Sequence, residues 1–572
     1  MANLVTPVQK LTPYEERIIE FKGLNRKSYV EEGEMSAMQN LTSSNYPLLT
    51  PRKLRGELIM PEGIAKPLKV IVKFERIAMI AQKSDNSIAF FYGPVVTEED
   101  ENGNTITRYD GAEVTSVTGL TADTEMVAIN TKICFFPQKS YLSLVRGSES
   151  VTIGTFGQLS ASNEVTTAAV TISNTNATLT VAGHSFVKGD AIDIIGHLAF
   201  TTASSEFGAK DCNISCIIEA VNGDVLTLPR ESFIELTGQG ARNISFTGTV
   251  SRDIPDIHHV IEWNNRLWGA SNSDNTIYAC KLGDPTNWKY YQGTSLDSYY
   301  AQQGTDENWT GSAAYSGHLI FFKPNSMTKI YGTSPSSFQI TNTVCYGVEE
   351  GSSKSVAVIN DKVFYKSSIG IMAYEGGIPY GISDKFNMKF KNVVGGTEGI
   401  KYYASLEKED GTFELMVLDI DKAVWHKEDD VRFRDCCTLD GKLYFIEESD
   451  AGIFEADKIY IINPDTATER LSQRKWSAEF GPFDEYIENQ KIYSKMSLRF
   501  IAQPRTKVNV YIKIDDGEWE IVRKFEYAET GGESVPIVPR RCDRFSIKIS
   551  GIGECEIKSL TRRYRRGSGV KQ

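Results

Sequence analysis

The residues of this 572-residue chain that could do chemistry are six histidines, nine cysteines and a scatter of neighbouring carboxylates. His258 and His259 stand side by side where a strand begins, which suits a strand edge better than a metal site. The cysteines, at 134, 212, 216, 280, 345, 436, 437, 542 and 555, are odd in number and irregularly spaced. The closest spacings, Cys212–Cys216 and Cys436–Cys437, do not give the paired C-x2-C pattern of a zinc site. Most lie in apolar contexts such as Lys132-Ile-Cys-Phe-Phe and read as free buried thiols in a reducing compartment. Asp100-Glu-Asn-Gly-Asn has the alternating oxygens of the first half of a calcium loop. Its glycine, Gly103, is at the fourth position where such a loop needs it at the sixth, so a hairpin tip is expected. Asp419 with Asp421, and Glu349 with Glu350, would suit glycoside hydrolysis if they faced one pocket, as would Asp306, Glu307 and Asp361. Trp263, Trp268, Trp288, Trp309 and Trp425 could stack on sugars, although in repeated sheets aromatics pack between neighbours.

No G-x-S-x-G, H-E-x-x-H, Walker loop or dinucleotide fingerprint is present. Gly63, Gly376-Gly377 and Gly395-Gly396 lack the strand–loop–helix setting of a phosphate cradle and read as turns. The expectation from these residues is a chain that is not an enzyme and carries no metal or cofactor. A carbohydrate-binding or carbohydrate-active protein is the alternative.

The elements that would position these residues are β-strands. Five stretches share one pattern, an apolar run, a polar pair, then a second apolar run ending in aromatics: 127–136, 260–268, 314–322, 356–365 and 437–445. Their turns fall at Asn130, Asn264, Ser316, Asn360 and Asp440. Pairs such as Asn-Asn, Ser-Gly and Asp-Gly tolerate the positive φ of a two-residue hairpin. The turns recur at roughly 40–50 residues, the period of a β-propeller blade. The wider gap between 360 and 440 leaves room for one more unit, with Glu409-Asp-Gly-Thr inside it.

Composition then divides the chain. Residues 1–60 form a lead-in whose Pro47 and Pro51 forbid regular helix and central strand, so an extended N-terminal arm is expected. Propeller strands begin at 61 and run to 158. From 159 to 250 the chain turns rich in Thr, Ser, Asn and Val, with period-2 runs such as Val170-Thr-Ile-Ser and Asn-Gly or Gly-Asp turns, a small inserted β-sandwich or barrel. Removing it restores the repeat spacing between Asn130 and Asn264. The propeller resumes over 251–475. Residues 476–572 alternate without the repeat and read as a C-terminal β-sandwich with a basic tail. The fold class expected is all-β throughout.

A net charge of −12 argues against a protein that grips nucleic acid, although Arg562-Arg-Tyr-Arg-Arg is locally basic. No apolar run approaches the 18 residues of a membrane span. The opening Met1-Ala-Asn-Leu-Val-Thr-Pro has neither a basic nor an apolar signal region, so synthesis in the cytoplasm is expected.

Two sets of motifs resemble a known family. Phe21-Lys-Gly-Leu-Asn, followed by Asn40-Leu and Tyr46-Pro-Leu-Leu-Thr-Pro-Arg, resembles the arm that opens bacteriophage tail and neck structural proteins. His259-Val-Ile-Glu-Trp-Asn-Asn-Arg-Leu-Trp-Gly-Ala, running to Gly283-Asp-Pro-Thr-Asn-Trp, resembles a strand pair of the tail nozzle (tail tubular protein B) of short-tailed phages. Phe186-Val-Lys-Gly-Asp-Ala-Ile is similar to small β-domains inserted in that family. Known nozzle proteins are longer than this chain.

The resemblance implies a virion structural protein of the tail, made in the host cytoplasm. It would form a ring of copies, as a hexamer, around the DNA ejection channel, beside adaptor, portal or tail-fibre proteins. Double-stranded DNA would pass without specific binding, which an acidic balance permits. A tail-borne glycan-depolymerising or glycan-binding propeller is the alternative. The residues expected at subunit contacts are Tyr46, Pro47, Pro51 and Arg52 in the arm, and Arg562, Arg563, Arg565 and Arg566 in the tail.

Overall fold

In the computed structural model the apolar runs are strands and the polar pairs are the turns between them. The residues described are 13–101, 103–148, 150–201, 207–448, 454–488, 490–526 and 531–566. Asn130, Asn264, Asn360 and Asp440 take φ of 50°, 51°, 52° and 50°, and at Ser316-Gly317 the glycine takes 77° instead. Left-handed backbone is cheapest for Gly, Asn and Asp, so the sequence places each hairpin where the turn is tolerated. Among the described residues seven sheets contain a four-stranded antiparallel meander of the propeller-blade type.

Contacts divide the chain into two compact units. One comprises residues 69–92 and 112–353, the other 1–68, 93–111 and 354–572.

The first of these holds four meanders. Their strands are Ile64–Lys73 to Ala112–Glu113, Glu125–Ile129 to Val151–Gln158, His258–Trp263 to Tyr299–Gln302 and Gly311–Tyr315 to Gln339–Val344. The Phe74-Glu75 turn of the first meander has positive φ at both residues without any Gly or Asn to announce it. Trp263, Trp268 and Trp309 are buried with Leu319, Phe321 and Ile330, which makes them core residues and not a sugar platform. The insert is a seven-stranded antiparallel sheet with strands from Ala161 to Arg252, starting two residues inside the expected 159–250 range and ending two residues past it. It has its own core of Ile194, Leu198, Leu226, Phe233 and Phe246. The single α-helix among the described residues, Arg230–Thr237, lies here and buries Phe233.

The second unit holds three meanders and a β-sandwich. The expected extra unit between Asn360 and Asp440 is present as Phe390–Glu398, Lys401–Lys408, Phe413–Asp419 and Val424–Lys427. Its first hairpin turns at Gly399, and Asp410-Gly411 makes the second. The meander of Phe433–Leu439, Lys442–Glu447 and Ile459–Ile461 takes its fourth strand from the N-terminal region: Gly56–Ile59 pairs antiparallel with Ile459–Ile461.

The sandwich is likewise completed from the N-terminus. Tyr14–Ile18 pairs with Cys555–Arg566, and Glu34–Gln39 pairs with Lys475–Phe483. Residues 476–572 therefore do not close the sandwich alone. The arm supplies strands to both of its sheets, and Phe21, Leu24, Met35 and Met38 join Trp476, Phe480 and Ile549 in one core.

Candidate functional site

The charged residues of the second unit fall into two arrangements. One is a buried brace that holds the arm. Gly23 starts it: at φ 86° its backbone lies so close to the chain that a Cβ there would sit 2.3 Å from the Trp425 carbonyl oxygen. Only glycine fits. Further along, Asn40 Nδ2 donates to the Lys475 carbonyl (2.7 Å), and its Oδ1 accepts from Arg52 Nε (2.8 Å). Arg52, 2% exposed, donates twice to Glu469, at 2.7 and 3.0 Å. Arg55 donates to Glu428 (2.5 Å) and Asp429 (2.9 Å), and its backbone N–H reaches Glu469 (2.8 Å). Arg474 closes the group against the Arg52 carbonyl and Glu554.

Desolvating so many charges is costly unless each finds partners, and here the guanidinium forks and carboxylates meet directly. Burial alone would push the Glu428 carboxyl up, but Arg55 and His426 hold it well below the usual range. His426 itself is driven down by burial, against the pull of Glu428. Glu398 is raised by burial despite its bonds from Tyr403 and Asn463.

A second buried knot ties the end of the last strand to the arm. Arg562, 3% exposed, donates to Glu485 (2.6 and 2.9 Å) and to Glu32 (2.7 and 2.9 Å), and stacks 3.9 Å over the Phe483 ring.

The expected contact residues thus separate by burial. Pro51, Arg52 and Arg562 are buried inside this unit, so their charge and shape are used within the chain. Tyr46 is half-buried and donates to Glu20, while Pro47 is exposed. Arg563, Arg565 and Arg566 are exposed at the end of the strand Cys555–Arg566, which lies between Tyr14–Ile18 and Lys491–Ala502, with Arg566 5.7 Å over the Tyr14 ring. Sequence reasoning missed Arg55, Glu428, Asp429 and Glu469. The signal was an acidic run, Glu428-Asp-Asp, directly after the apolar strand Val424–Lys427, a place where solvated charge is the ordinary expectation.

The other arrangement is open. The six-stranded sheet of the sandwich turns a concave face of about 630 Å³ outward, with Lys475, Lys507, Lys524 and Lys548 among its lining residues. From Lys475 to Gln572 the chain has 19 Lys and Arg against 14 Asp and Glu, the reverse of its overall balance.

The carboxylates weighed for catalysis are dispersed. Asp419 is buried and accepts from Ser43 (2.7 Å) and Lys422 (2.8 Å), whereas Asp421 is exposed. Glu307 accepts from Asn325 (2.5 Å). His259 shares a hydrogen bond with the Trp309 carbonyl (3.0 Å), and burial lowers its pKa. Among the described residues no three His, Cys, Asp or Glu side chains gather as metal ligands. At Asp100 the carboxylate accepts from the Asn104 backbone and side chain, while Asn102 lies outside the described residues.

No protein-family model matches the chain, and no curated protein matches it. Solved structures similar to it include three with weak overlap. The β-propeller domain of the trilobed protease from Pyrococcus furiosus is 10% identical, with 73% of this chain and 100% of that one covered, at a TM-score of 0.31. An exo-β-1,3-galactanase from Phanerochaete chrysosporium is 10% identical over 53% and 94%, at 0.21. A puromycin hydrolase is 8% identical over 68% and 59%, at 0.25. The expectation that the chain is not an enzyme is corrected by these matches. A missing sequence motif gives no ground for excluding catalysis, because function rests on the residues of a site and not on the fold.

Proposed function

We propose that this chain is a structural subunit of a bacteriophage tail, assembled with copies of itself in a ring around the path of double-stranded DNA. The supporting observation is where the resemblance motif lies. Phe21, Gly23, Leu24, Asn40 and Arg52 help fasten the arm to the sandwich, to the meander at 390–427 and to Glu469. An arm bonded along its length to its own unit is a long-range brace, which suits a subunit that must keep its shape while DNA is forced past it.

The exposed strand end of Arg563, Arg565 and Arg566 is then the place that meets a neighbour, either a further copy or an adaptor, portal or fibre protein. An overall charge of −12 suits a lumen through which phosphates slide, because like charges disfavour adhesion. Among the described residues no helix is long and apolar enough to cross a membrane. The test is to co-express the chain with the products of the genes flanking its own and image the particles by cryo-EM. Rings of this chain on the tail axis are expected. Tail particles that assemble fully without it would overturn the reading.

A further inference from the structure

The concave face of the sandwich carries a chemistry that neither the brace nor a ring contact uses. The pairing register aligns one residue from each of five adjacent strands into a row: Gln39 opposite Ser477, Ser477 opposite Ser550, Ser550 opposite Asn509, and Asn509 opposite Lys524. All five face outward and are half-buried or exposed, while their chain neighbours Trp476, Val508, Val510, Ile549 and Phe525 point into the core. Period-2 alternation thus sorts an apolar core face from a polar outer face.

The row crosses five strands, about 19 Å at the ordinary inter-strand spacing. Among the described residues Gln39 donates to Asp430 (3.0 Å), and no hydrogen bond engages the side chains of Ser477, Ser550 or Asn509. One row over, Lys475 and Lys507 flank Ile552 on either side. Neither of these lysines, nor Lys524, forms an ion pair among the described residues. On the opposite flank Lys548 is paired with Glu479 (2.8 Å), beside Tyr511. Glu526, opposite Lys507 in the register, is the acidic residue among the lining side chains.

We infer that this face binds an acidic polysaccharide, one whose sugar units carry carboxylates. A row of hydroxyls and amides offers donors and acceptors in alternation, which matches the hydroxyls of a sugar chain. Unpaired lysines at one end of the row and along one flank match its carboxylates, and Tyr511 gives one ring on which a sugar can rest. The cavity volume lies within the range of ligand sites. Nucleic acid fits less well. A single strand is gripped by successive stacking rings, whereas Tyr511 is the ring that this outer face offers. The sheet is fixed by its own pairing, so the face is formed before a ligand arrives.

The experiment uses the full chain and immobilised polygalacturonate, with dextran as the neutral polymer and single-stranded and duplex DNA as competing polyanions. Saturable binding of polygalacturonate that weakens with salt is expected, with dextran and both DNAs at least tenfold weaker. Lys507→Gln with Lys524→Gln should reduce the affinity at least tenfold, and Asn509→Ala alone severalfold. Thermal midpoints should stay at the parent value, because these side chains are at the surface. Three results would each overturn the inference: no binding of polygalacturonate, equal or tighter binding of either DNA, or undiminished binding by the folded double variant. Failure of ring assembly on a phage tail would leave this binding intact, so the two readings fail separately.

Discussion

Arg52 and Lys507 are both basic residues of the second unit, and they sit on opposite kinds of surface. Arg52 is buried with two hydrogen bonds to Glu469, whereas Lys507 is exposed at the rim of a concave sheet face with no ion pair among the described residues. The first kind of charge is a fastening. Its partners are hundreds of residues away in sequence, and removing it strands carboxylates in a dry interior. The second kind costs little to remove and is free to meet something else. The chain thus separates architecture from recognition by burial, using the same charge for both.

The largest effect expected from breaking the first kind is deletion of residues 1–56. The sequence suggests an extended arm, but the structure gives residues 13–56 strands in both sheets of the sandwich and the buried brace residues Arg52 and Arg55. The truncated chain should therefore lose its sandwich. Limited proteolysis should cut it within 475–566 at protease levels that leave the full chain whole. An equally resistant truncation would show that the brace is dispensable.

Next in size is Arg55→Ala, which leaves Glu428 buried without its guanidinium and Asp429 with Arg52 alone, at a cost of about 3–5 kcal/mol. Arg562→Met should cost about 3 kcal/mol, the lower end of that range, because Glu32 is partly exposed and regains water when released while the Glu485 side chain stays buried with the Tyr493 hydroxyl as its donor. Urea midpoints of the two variants would rank them. A midpoint for Arg55→Ala at or above that of Arg562→Met would break the proposed order.

A smaller effect is expected from pH. Burial lowers the His426 pKa in the folded chain, so the unfolded chain takes up the proton first as pH falls below about 6.5. Stability should then decline between pH 7.5 and 5.5 by up to about 1 kcal/mol from this group. Glu428 has the lowered carboxyl, so its contribution is present above the ordinary carboxylate range and is lost only in stronger acid. Glu398, raised by burial, acts with the opposite sign. His426→Gln should flatten the decline in thermal midpoint across that interval. An unchanged slope would assign the effect elsewhere.

Much of this fold was legible because its turns are local. Asn130, Asn264, Asn360 and Asp440 each declare a left-handed backbone within two residues, and the insert shows itself by a change of composition. The Phe74-Glu75 turn carries no such mark, and neither does the pairing of Gly56–Ile59 with Ile459–Ile461, whose partners are about 400 residues apart. The brace was illegible for the same reason. Arg52 in a proline-rich arm looks like a solvated charge until the fold brings Glu469 to it. The polar row was hidden too, since Gln39, Ser477, Asn509, Lys524 and Ser550 share nothing in sequence except an outward place in their strands.

The smallest effect on stability, and the one that tests the comparison most directly, is expected at Arg563, Arg565 and Arg566. They lie on the same strand as Arg562 but are exposed, so replacing all three by alanine should change the urea midpoint by no more than about 0.5 kcal/mol per residue. Arg566 over the Tyr14 ring sets the upper part of that range. If this exposed strand end meets a neighbouring subunit, the triple variant should stay folded while losing its place in tail particles, as read by the amount of chain in purified virions. The buried neighbour gives the control: Arg562→Met should lower stability first and incorporation only as a consequence. A triple variant that is stable and incorporated at the parent level would move the subunit contact away from this strand end. One as unstable as Arg562→Met would show that exposure does not separate fastening from recognition along this strand.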